Sequence, residues 1–165
     1  MTPASLSGHA LDMTVIMRYI VAFIASYAAG VVGALFVRPA DLAWYHALEK
    51  PPFAPPDAVF GIVWIIIYAL MALALGSYWS KSKLWTIWVG MFLASLLFNA
   101  AWTMFFFGFH AIFLGLFDIT FLAIVIIGLE MGAWDVGSPA RFFLIPYLIW
   151  ILFAWYLNAG VWLLR

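Results

Sequence analysis

The chain has 165 residues, of which 68% are hydrophobic, 20% aromatic and only 8% charged, and its formal net charge is zero. Roughly a quarter of the residues in an ordinary soluble domain are charged, so this composition excludes a water-soluble fold and predicts a protein embedded in lipid. The seven Lys and Arg residues are scattered singly, which argues against a nucleic-acid-binding surface, and the absence of cysteine excludes disulfides, thiolate catalysis and iron–sulfur chemistry.

The first predicted membrane span covers residues 15–37 and follows an N-terminal segment at residues 1–14. Its uncharged run could be read as a secretory signal peptide, but it is longer than the apolar region of such a signal. Small residues recur at every fourth position of the run, at Ala22, Ser26, Gly30 and Ala34. Such a row lets a membrane helix pack closely on a neighbour. The pattern favours a retained helix, and the row is one candidate for a contact between two copies of the chain.

Further uncharged runs predict membrane spans at residues 58–80, 84–107, 111–133 and 141–163. At about 1.5 Å of rise per residue, each is long enough to cross the roughly 30 Å hydrocarbon layer as an α-helix. A helix satisfies its own backbone hydrogen bonds in lipid, and the short alternating segments of a membrane barrel are missing. We therefore predict an all-α integral membrane protein in which residues 15–165 form a single bundle of five transmembrane helices. The short connections predict that consecutive helices are antiparallel neighbours.

The connection between the first two predicted helices, residues 38–57, is much longer than the others. It contains five charged residues and five prolines. Loops of this length are uncommon in compact proteins unless they serve a function. A disordered tether is the alternative, but Trp44, Tyr45, Leu48 and Phe53 give the segment apolar side chains with which to pack. We predict a long ordered loop that acts as a lid over one end of the bundle.

Unusual residues gather in the half of the bilayer beneath this lid when the predicted helices are placed antiparallel. One is the acid Asp118, which lies about two turns inside the membrane, where ionisable side chains are costly. The others are aromatic, amide or small side chains at a similar depth: Trp64, Tyr68, Asn99, Trp102, Phe106, Trp150, Ala154, Leu157 and Asn158. An aromatic-walled cavity with a few polar groups suits a flat, largely apolar ligand.

Each of these residues also has a purely structural interpretation, which the sequence leaves open. Asn99 and Asn158 could hydrogen-bond across helices as structural contacts. Asp118 could be an uncharged acid that fixes helix packing. The tryptophans could simply fill the core of the bundle, as large aromatic side chains often do.

Metal binding and conventional catalysis are not predicted. His9, His46 and His110 are isolated, with no histidine or carboxylate at the spacing of a metal-ligand pair. No serine triad, phosphate-binding loop or pair of catalytic carboxylates can be assembled from the sequence. We therefore name no classical catalytic residue.

Four sequence blocks follow one another along the chain. They are Trp44-Tyr45-x-x-Leu48-x-Lys50-Pro51-Pro52-Phe53-x-Pro55-Pro56, then Phe60-Gly61-x-Val63-Trp64-x-x-x-Tyr68, then Asn99-x-x-Trp102 with Phe106-Phe107-Gly108, and finally Pro146-Tyr147-Leu148-x-Trp150-x-x-Phe153-Ala154-x-x-Leu157-Asn158. Together with Asp118, these blocks resemble the tryptophan-rich sensory protein family, also called the translocator protein or peripheral benzodiazepine receptor family, in its bacterial form. The resemblance covers nearly the whole chain after residue 20 and implies the same five-helix fold.

The resemblance implies a homodimer that lies in a lipid bilayer and binds porphyrins such as protoporphyrin IX, with no required cofactor. For a bacterial member it favours the cell membrane over the outer membrane. In many members it also implies binding of isoquinoline-carboxamide drugs and sterols. The sterol pattern of animal members is interrupted here, because Ala159 rather than tyrosine follows Asn158. Thr103 and Met104 stand where animal members carry prolines, which predicts a different curvature of the third helix.

Position by position, the resemblance implies a ligand-binding site. Its members are Trp64, Tyr68, Asn99, Trp102, Asp118, Tyr147, Trp150, Ala154, Leu157 and Asn158. It also implies a lid over that site, formed by Trp44, Tyr45, Lys50, Pro51, Phe53, Pro55 and Pro56.

Three functions fit this resemblance. The first is a membrane receptor or sensor that binds tetrapyrroles and modulates their levels or transport. The second is an enzyme that degrades protoporphyrin with light and oxygen, in which Trp64 and Trp150 would act as radical or electron-transfer partners. The sequence offers no metal site and no general base, so the chemistry would have to come from the pigment itself. The third is a carrier of porphyrins or sterol-like lipids.

Overall fold

The computed structural model describes residues 3–165, with side chains from Met13 onward. Residues 1 and 2 and the side chains of residues 3–12, among them His9, lie outside what the structure describes, so the predicted N-terminal segment is described mainly by its backbone. The elements are α1 (Pro3–Ala34), α2 (Pro39–Ala47), α3 (Asp57–Lys81), α4 (Ile87–Thr103), a π-helical turn (Met104–Gly108), α5 (Ile112–Asp135) and α6 (Ala140–Leu164).

Five of these helices are long and apolar enough to cross a membrane, and no described residue lies in a β-strand. The predicted all-α fold with five membrane helices is therefore confirmed. The bounds of α3, α5 and α6 agree with the predicted spans to within two residues. By contrast, α1 begins at Pro3, well before the predicted residue 15, and ends at Ala34 rather than at residue 37.

The five long helices close into a ring in the order α1, α3, α6, α5, α4 and back to α1. Their connectivity makes neighbours in this ring antiparallel except α1 and α4, which run parallel. The prediction that consecutive helices are neighbours is wrong for α3 and α4. These two helices are separated along most of their length by α1 and meet at one end, where Tyr78 stacks on Trp88 with ring centroids 3.9 Å apart.

The seam between α1 and α3 depends on small residues. Ala22 and Ser26 are completely buried, and Gly30 lies so close to the Tyr68 ring that a Cβ atom added there would come within 2.5 Å of it. The same relation holds in reverse at Gly76 of α3, against which the Tyr19 ring packs. Most of the small-residue row of α1 is therefore used inside the chain and not on a second copy.

A π-helical turn replaces the last part of the third predicted span. It is marked by a 2.9 Å hydrogen bond from the backbone N–H of Phe109 to the Met104 carbonyl, five residues earlier. The N–H of Ala111 then donates to the Phe105 carbonyl, also at 2.9 Å, where the helix ends. Such turns bend a helix and re-aim its side chains, often at functional sites. His110 follows with φ +52°, which redirects the chain into α5.

The segment of residues 38–57, predicted as a long loop, contains the short helix α2. Pro39 occupies the first helical position, where its missing N–H costs no hydrogen bond. The Asp41 carboxylate accepts a 3.0 Å hydrogen bond from the backbone N–H of Arg38 and so closes the N-terminus of α2. Residues 38–57, called the lid from here on, are ordered, as predicted, but partly helical; they cover the end of the bundle called the lid end.

Candidate functional site

A cavity of about 420 Å³ lies at the lid end of the bundle. This volume falls within the roughly 300–1,000 Å³ typical of small-molecule sites. The cavity is walled by α1, α3, α4 with its π turn, α6 and the lid, whereas α5 contributes no lining side chain. Its surface is mostly aromatic and aliphatic, so it suits an apolar ligand.

Eight of the residues predicted for the site line this cavity. Six belong to the predicted ligand-binding set, namely Trp64, Tyr68, Trp102, Ala154, Leu157 and Asn158. The other two, Tyr45 and Pro51, come from the predicted lid. The structure therefore brings together residues from α3, α4, α6 and the lid that are far apart in the sequence.

Four other predicted positions do not line the cavity. Asn99, Asp118 and Tyr147 are buried in the bundle farther from the lid. Trp150 does not line the cavity but contacts Trp64, which does; the two indole rings are perpendicular at 89°, with their centroids 6.5 Å apart. The Trp150 Nε1 is buried without a hydrogen-bond partner. Ligand contact at these four positions stays a prediction.

Two asparagines tie the helices together at and below the cavity. The Asn158 Oδ1 accepts a 3.0 Å hydrogen bond from Trp102 Nε1, while its Nδ2 donates to the Ile112 carbonyl at 3.0 Å. Deeper in the bundle, Asn99 donates to the Tyr147 hydroxyl. Asn158 thus connects α4, α5 and α6 and also faces the cavity, so the structural and the ligand-facing interpretations both apply to it.

The lid is fastened over the cavity by packing. Tyr45 makes edge contacts with Phe60 and Phe106, and Pro51 packs so closely on Gly160 of α6 that a Cβ atom there would come within 2.4 Å of it. The Tyr156 hydroxyl adds a 3.1 Å hydrogen bond to the Pro52 carbonyl. These contacts connect the lid to α3, the π turn and α6. The predicted lid residues Phe53, Pro55 and Pro56 do not line the cavity.

A charged cluster anchors α2 to the connection between α4 and α5. Asp41 is almost completely buried and forms an ion pair with Arg38, with Nε 2.8 Å from Oδ2, and its Oδ1 lies 3.1 Å from His110 Nε2. Hydrogen bonds from Arg38 hold the pKa of the Asp41 carboxyl well below its ordinary value, because they favour the charged form. Trp44 stacks on the His110 ring at 4.0 Å and completes the anchor.

The mouth of the cavity carries charges of both signs. Asp57 is the only charged residue among those lining the cavity in the described part of the chain, and it pairs with His46 at 2.6 Å. Lys50 lies nearby, 4.7 Å from the centre of the Tyr45 ring, and donates to the Leu48 carbonyl. Burial, together with the Asp57 charge, raises the pKa of Tyr45, so its hydroxyl remains a proton donor.

The sequence of the chain matches a protein family and several known proteins. Residues 21–163 match the model of the TspO/MBR family. The chain belongs to this family. It is 38% identical to the tryptophan-rich protein TspO of Chlorobaculum tepidum over 136 residues, which cover 79% of this chain and 85% of that protein. The corresponding protein of Archaeoglobus fulgidus is 33% identical over 91% of this chain and 98% of its own length, and the human translocator protein is 33% identical over 79% and 80%.

Membership of the TspO/MBR family, together with the five apolar helices, identifies an integral, multi-pass membrane protein, and the bacterial relatives favour the cell membrane. Within the described residues, no three His, Asp or Glu side chains are grouped so that they could hold a metal ion.

One wall of the pocket was not predicted from the sequence. Gly30, Gly33 and Ala34 of α1 line the cavity, together with Thr103 and Phe107 at the π turn. The small-residue row signalled close packing in α1, and Gly30 and Ala34 are members of it, but packing and cavity lining leave the same pattern. Nothing in the sequence signals the π turn that orients Phe107.

Proposed function

We propose that this protein is a membrane receptor that binds a tetrapyrrole such as protoporphyrin IX in the lid-end cavity and thereby modulates tetrapyrrole levels or transport. It acts as a homodimer and needs no cofactor beyond the porphyrin ligand. The names of its relatives, among them translocator protein and tryptophan-rich protein, fit a sensor or transporter.

One observation carries the proposal: an apolar cavity lined by indole and phenol rings under a lid that closes against three elements. Trp64 stacks on Tyr68 with centroids 5.5 Å apart, and Trp102 stacks on Phe106 at 5.4 Å. Flat aromatic faces on opposite sides of a cavity favour a flat, largely apolar ligand, because offset stacking and edge contacts add to the burial of apolar area.

The charges at the mouth suggest the direction in which such a ligand binds. The lining contains one carboxylate, Asp57, and no cation, so the carboxylates of protoporphyrin would be disfavoured inside the cavity. Lys50 is half-buried in the lid and offers an ammonium group near the rim. We therefore orient the porphyrin with its apolar edge inward and its carboxylates toward Lys50.

Porphyrin titration of purified protein in nanodiscs tests the proposal. The shift of the porphyrin absorption band is the readout, because tryptophan fluorescence would itself be altered by the variants. Trp64→Ala is expected to raise the dissociation constant about tenfold, since losing one aromatic wall costs about 1.5 kcal/mol. Ala154→Phe, which fills the cavity, is expected to abolish binding.

Trp85→Phe is the matched control, because this indole is 78% exposed at the opposite end of the bundle. It should leave the dissociation constant unchanged. Wild-type affinity in a folded Ala154→Phe variant would overturn the assignment of the porphyrin to this cavity.

The perpendicular contact between Trp64 and Trp150 supports the second candidate, light- and oxygen-dependent breakdown of bound protoporphyrin. Two indoles in contact, one of them in the cavity wall, form a short route for an electron away from an excited pigment. Illumination in air separates the two functions. Loss of the pigment spectrum that slows in both Trp64→Phe and Trp150→Phe favours the enzyme, whereas bleaching at the rate of free pigment favours the receptor alone.

A further inference from the structure

A second concave surface lies at the end of the bundle opposite the lid. It is a groove of about 410 Å³ on the outside of the seam between α1 and α3. Its walls are Met13, Thr14, Met17, Arg18, Val21, Trp79 and Leu84. Met17 and Val21 are about half exposed, so the groove faces the surrounding lipid and not the interior of the bundle.

Arg18 is the only charged residue among the described side chains that form the walls of this groove. It donates a hydrogen bond to the carbonyl of Trp79, in the last turns of α3, where backbone carbonyls lack helical partners. Its Nε is buried without a partner, and none of the ion pairs among the described residues includes it. Among the side chains that the structure describes, from Met13 onward, this guanidinium is held in an apolar groove without a carboxylate partner, a setting that favours binding of an anion.

The surroundings place the mouth of the groove at the membrane–water interface. Trp79 donates a 2.8 Å hydrogen bond from its indole to the Leu84 carbonyl, which fixes one wall. Lys81 and Lys83 are exposed beside that wall and belong to no ion pair in the described part of the chain. Trp85 follows with a strongly exposed indole, as is typical of the headgroup region.

We propose that this groove binds one anionic phospholipid of the bilayer. The phosphate would accept hydrogen bonds from the Arg18 guanidinium, whose planar fork matches phosphate oxygens. An acyl chain would lie along Met17 and Val21, and Lys83 would face the rest of the headgroup. Cationic recesses between membrane helices at one face of the bilayer are a recurrent setting for such lipids.

The two concave surfaces have opposite character. Among the described side chains, those that line the lid-end cavity include a carboxylate and no cation, whereas those that line the groove include a guanidinium and no acid. The groove is also apolar over most of its wall, so a free phosphate ion would leave most of it empty. A lipid satisfies both the charge and the apolar surface, and it would bridge α1 to α3.

Delipidated full-length protein in a neutral detergent allows a direct test. Dioleoyl-phosphatidylglycerol and dioleoyl-phosphatidylcholine are titrated separately, with inorganic phosphate in a third series, and the melting temperature and bound mass are recorded. Phosphatidylglycerol is expected to raise the melting temperature saturably, with one tightly bound molecule per chain. Phosphatidylcholine and inorganic phosphate are expected to have little effect.

Arg18→Gln is expected to weaken phosphatidylglycerol binding about tenfold, because one charge-assisted contact is lost. Val21→Trp fills the groove while keeping Arg18 and should weaken binding as much, which keeps the test decisive if the Arg18 variant does not fold.

Arg141→Gln is the matched control, since this guanidinium lies at the same end of the bundle but stacks on Trp134 of α5. Equal stabilisation by both lipids, stabilisation by phosphate alone, or unchanged selectivity in Arg18→Gln or Val21→Trp would overturn the proposal.

Discussion

Asn158 combines two tasks in one side chain. It lines the cavity, and its amide joins Trp102 of α4 to the Ile112 carbonyl of α5. A polar group of this kind is retained in a membrane helix only when its partners are satisfied, because an unpaired one is costly in lipid. The residue therefore couples the shape of the cavity to the packing of the helices.

Replacing Asn158 by leucine is expected to lower the free energy of unfolding by about 1–3 kcal/mol, because the Trp102 N–H and the Ile112 carbonyl lose their buried partner. Porphyrin affinity should fall with it, since Trp102 loses its fixed orientation. Asn99→Leu is the comparison variant: it removes a similar buried amide below the cavity and should reduce stability but leave affinity nearly unchanged. Thermal unfolding and porphyrin titration check both effects. Equal loss of affinity in the two variants would contradict the distinction.

Lys50 gives a prediction about the charge of the ligand. If the porphyrin carboxylates face this ammonium group, Lys50→Gln should weaken binding of protoporphyrin IX about fivefold, the value expected for roughly 1 kcal/mol from a half-exposed ion pair. The dimethyl ester of the same porphyrin has no carboxylates, so its affinity should not respond. A parallel loss for both ligands would show that Lys50 acts through the lid, for example through the Tyr45 ring, and not on the carboxylates.

At the scale of elements, one of the contacts that hold the lid on α6 is the close packing of Pro51 on Gly160. Gly160→Ala would place a methyl group within van der Waals overlap of Pro51. We expect the lid to lift and the porphyrin to dissociate several times faster, measured by transfer to an acceptor protein in stopped flow. Gly90→Ala is the matched control, because a Cβ atom at that glycine meets no atom within 4 Å. A dissociation rate in Gly160→Ala equal to that of the control would show that this contact does not govern closure.

The anchor of α2 predicts a pH dependence. The pKa of Asp41 is lower in the folded protein than the value of about 3.9 for an unfolded chain. Its contribution to stability is therefore complete above about pH 4 and is lost as the pH falls through the folded pKa. The melting temperature of Asp41→Asn should lie below that of wild type at neutral pH, and the difference should shrink below about pH 4. A difference that stays constant on acidification would exclude the charged form of Asp41 as the cause.

The elements differ in how far the sequence predicted them. The bounds of α3, α5 and α6 follow from long apolar runs, whose ends are set by charges, prolines and connecting residues. The short helix α2 was not predicted, because Pro39 and the charges around it suggest a loop, while its stability comes from Asp41 and from the stacking of Trp44 on His110. The π turn was not predicted either, because no sequence signal distinguishes it from a regular helix end.

At the scale of the whole molecule, the sequence predicted the approximate depth of most of these side chains in the membrane. It did not predict how each helix is rotated about its own axis. Helix lengths and connections placed Trp64, Trp102 and Asn158 at one level, and the structure brings these side chains together at the cavity. The same reasoning placed Asp118 near that level and Trp150 one turn deeper. Asp118 points into the bundle, as predicted, but lies farther from the lid than the cavity lining, whereas Trp150 packs on the Trp64 ring and does not line the cavity. An apolar helix surrounded by lipid has no polar face, so periodicity carries little information on rotation.

The ring of helices depends on the seam between α1 and α3. Ala22→Leu is expected to lower the free energy of unfolding by about 1–3 kcal/mol, because the completely buried site has no room for a larger side chain. The oligomeric state, measured by light scattering in detergent, should not change, since Ala22 packs inside the chain. Val31→Leu on the exposed side of α1 is the control and should affect neither quantity. Dissociation of an otherwise stable dimer by Ala22→Leu would contradict this packing.

Helix α5 belongs to the ring of helices but contributes no side chain to the lining of the cavity. It supports the site through the Ile112 carbonyl and through Gly115, where a Cβ atom would come within 3.0 Å of Asn158 and 3.3 Å of Phe106. Chimeras between family members should therefore exchange this helix with little change in which pigments they recognise, provided that those two positions are kept. Exchanging the lid and α3 would instead transfer the pigment selectivity of the donor protein. Differences in α5 between family members would then reflect only adaptation to their membranes.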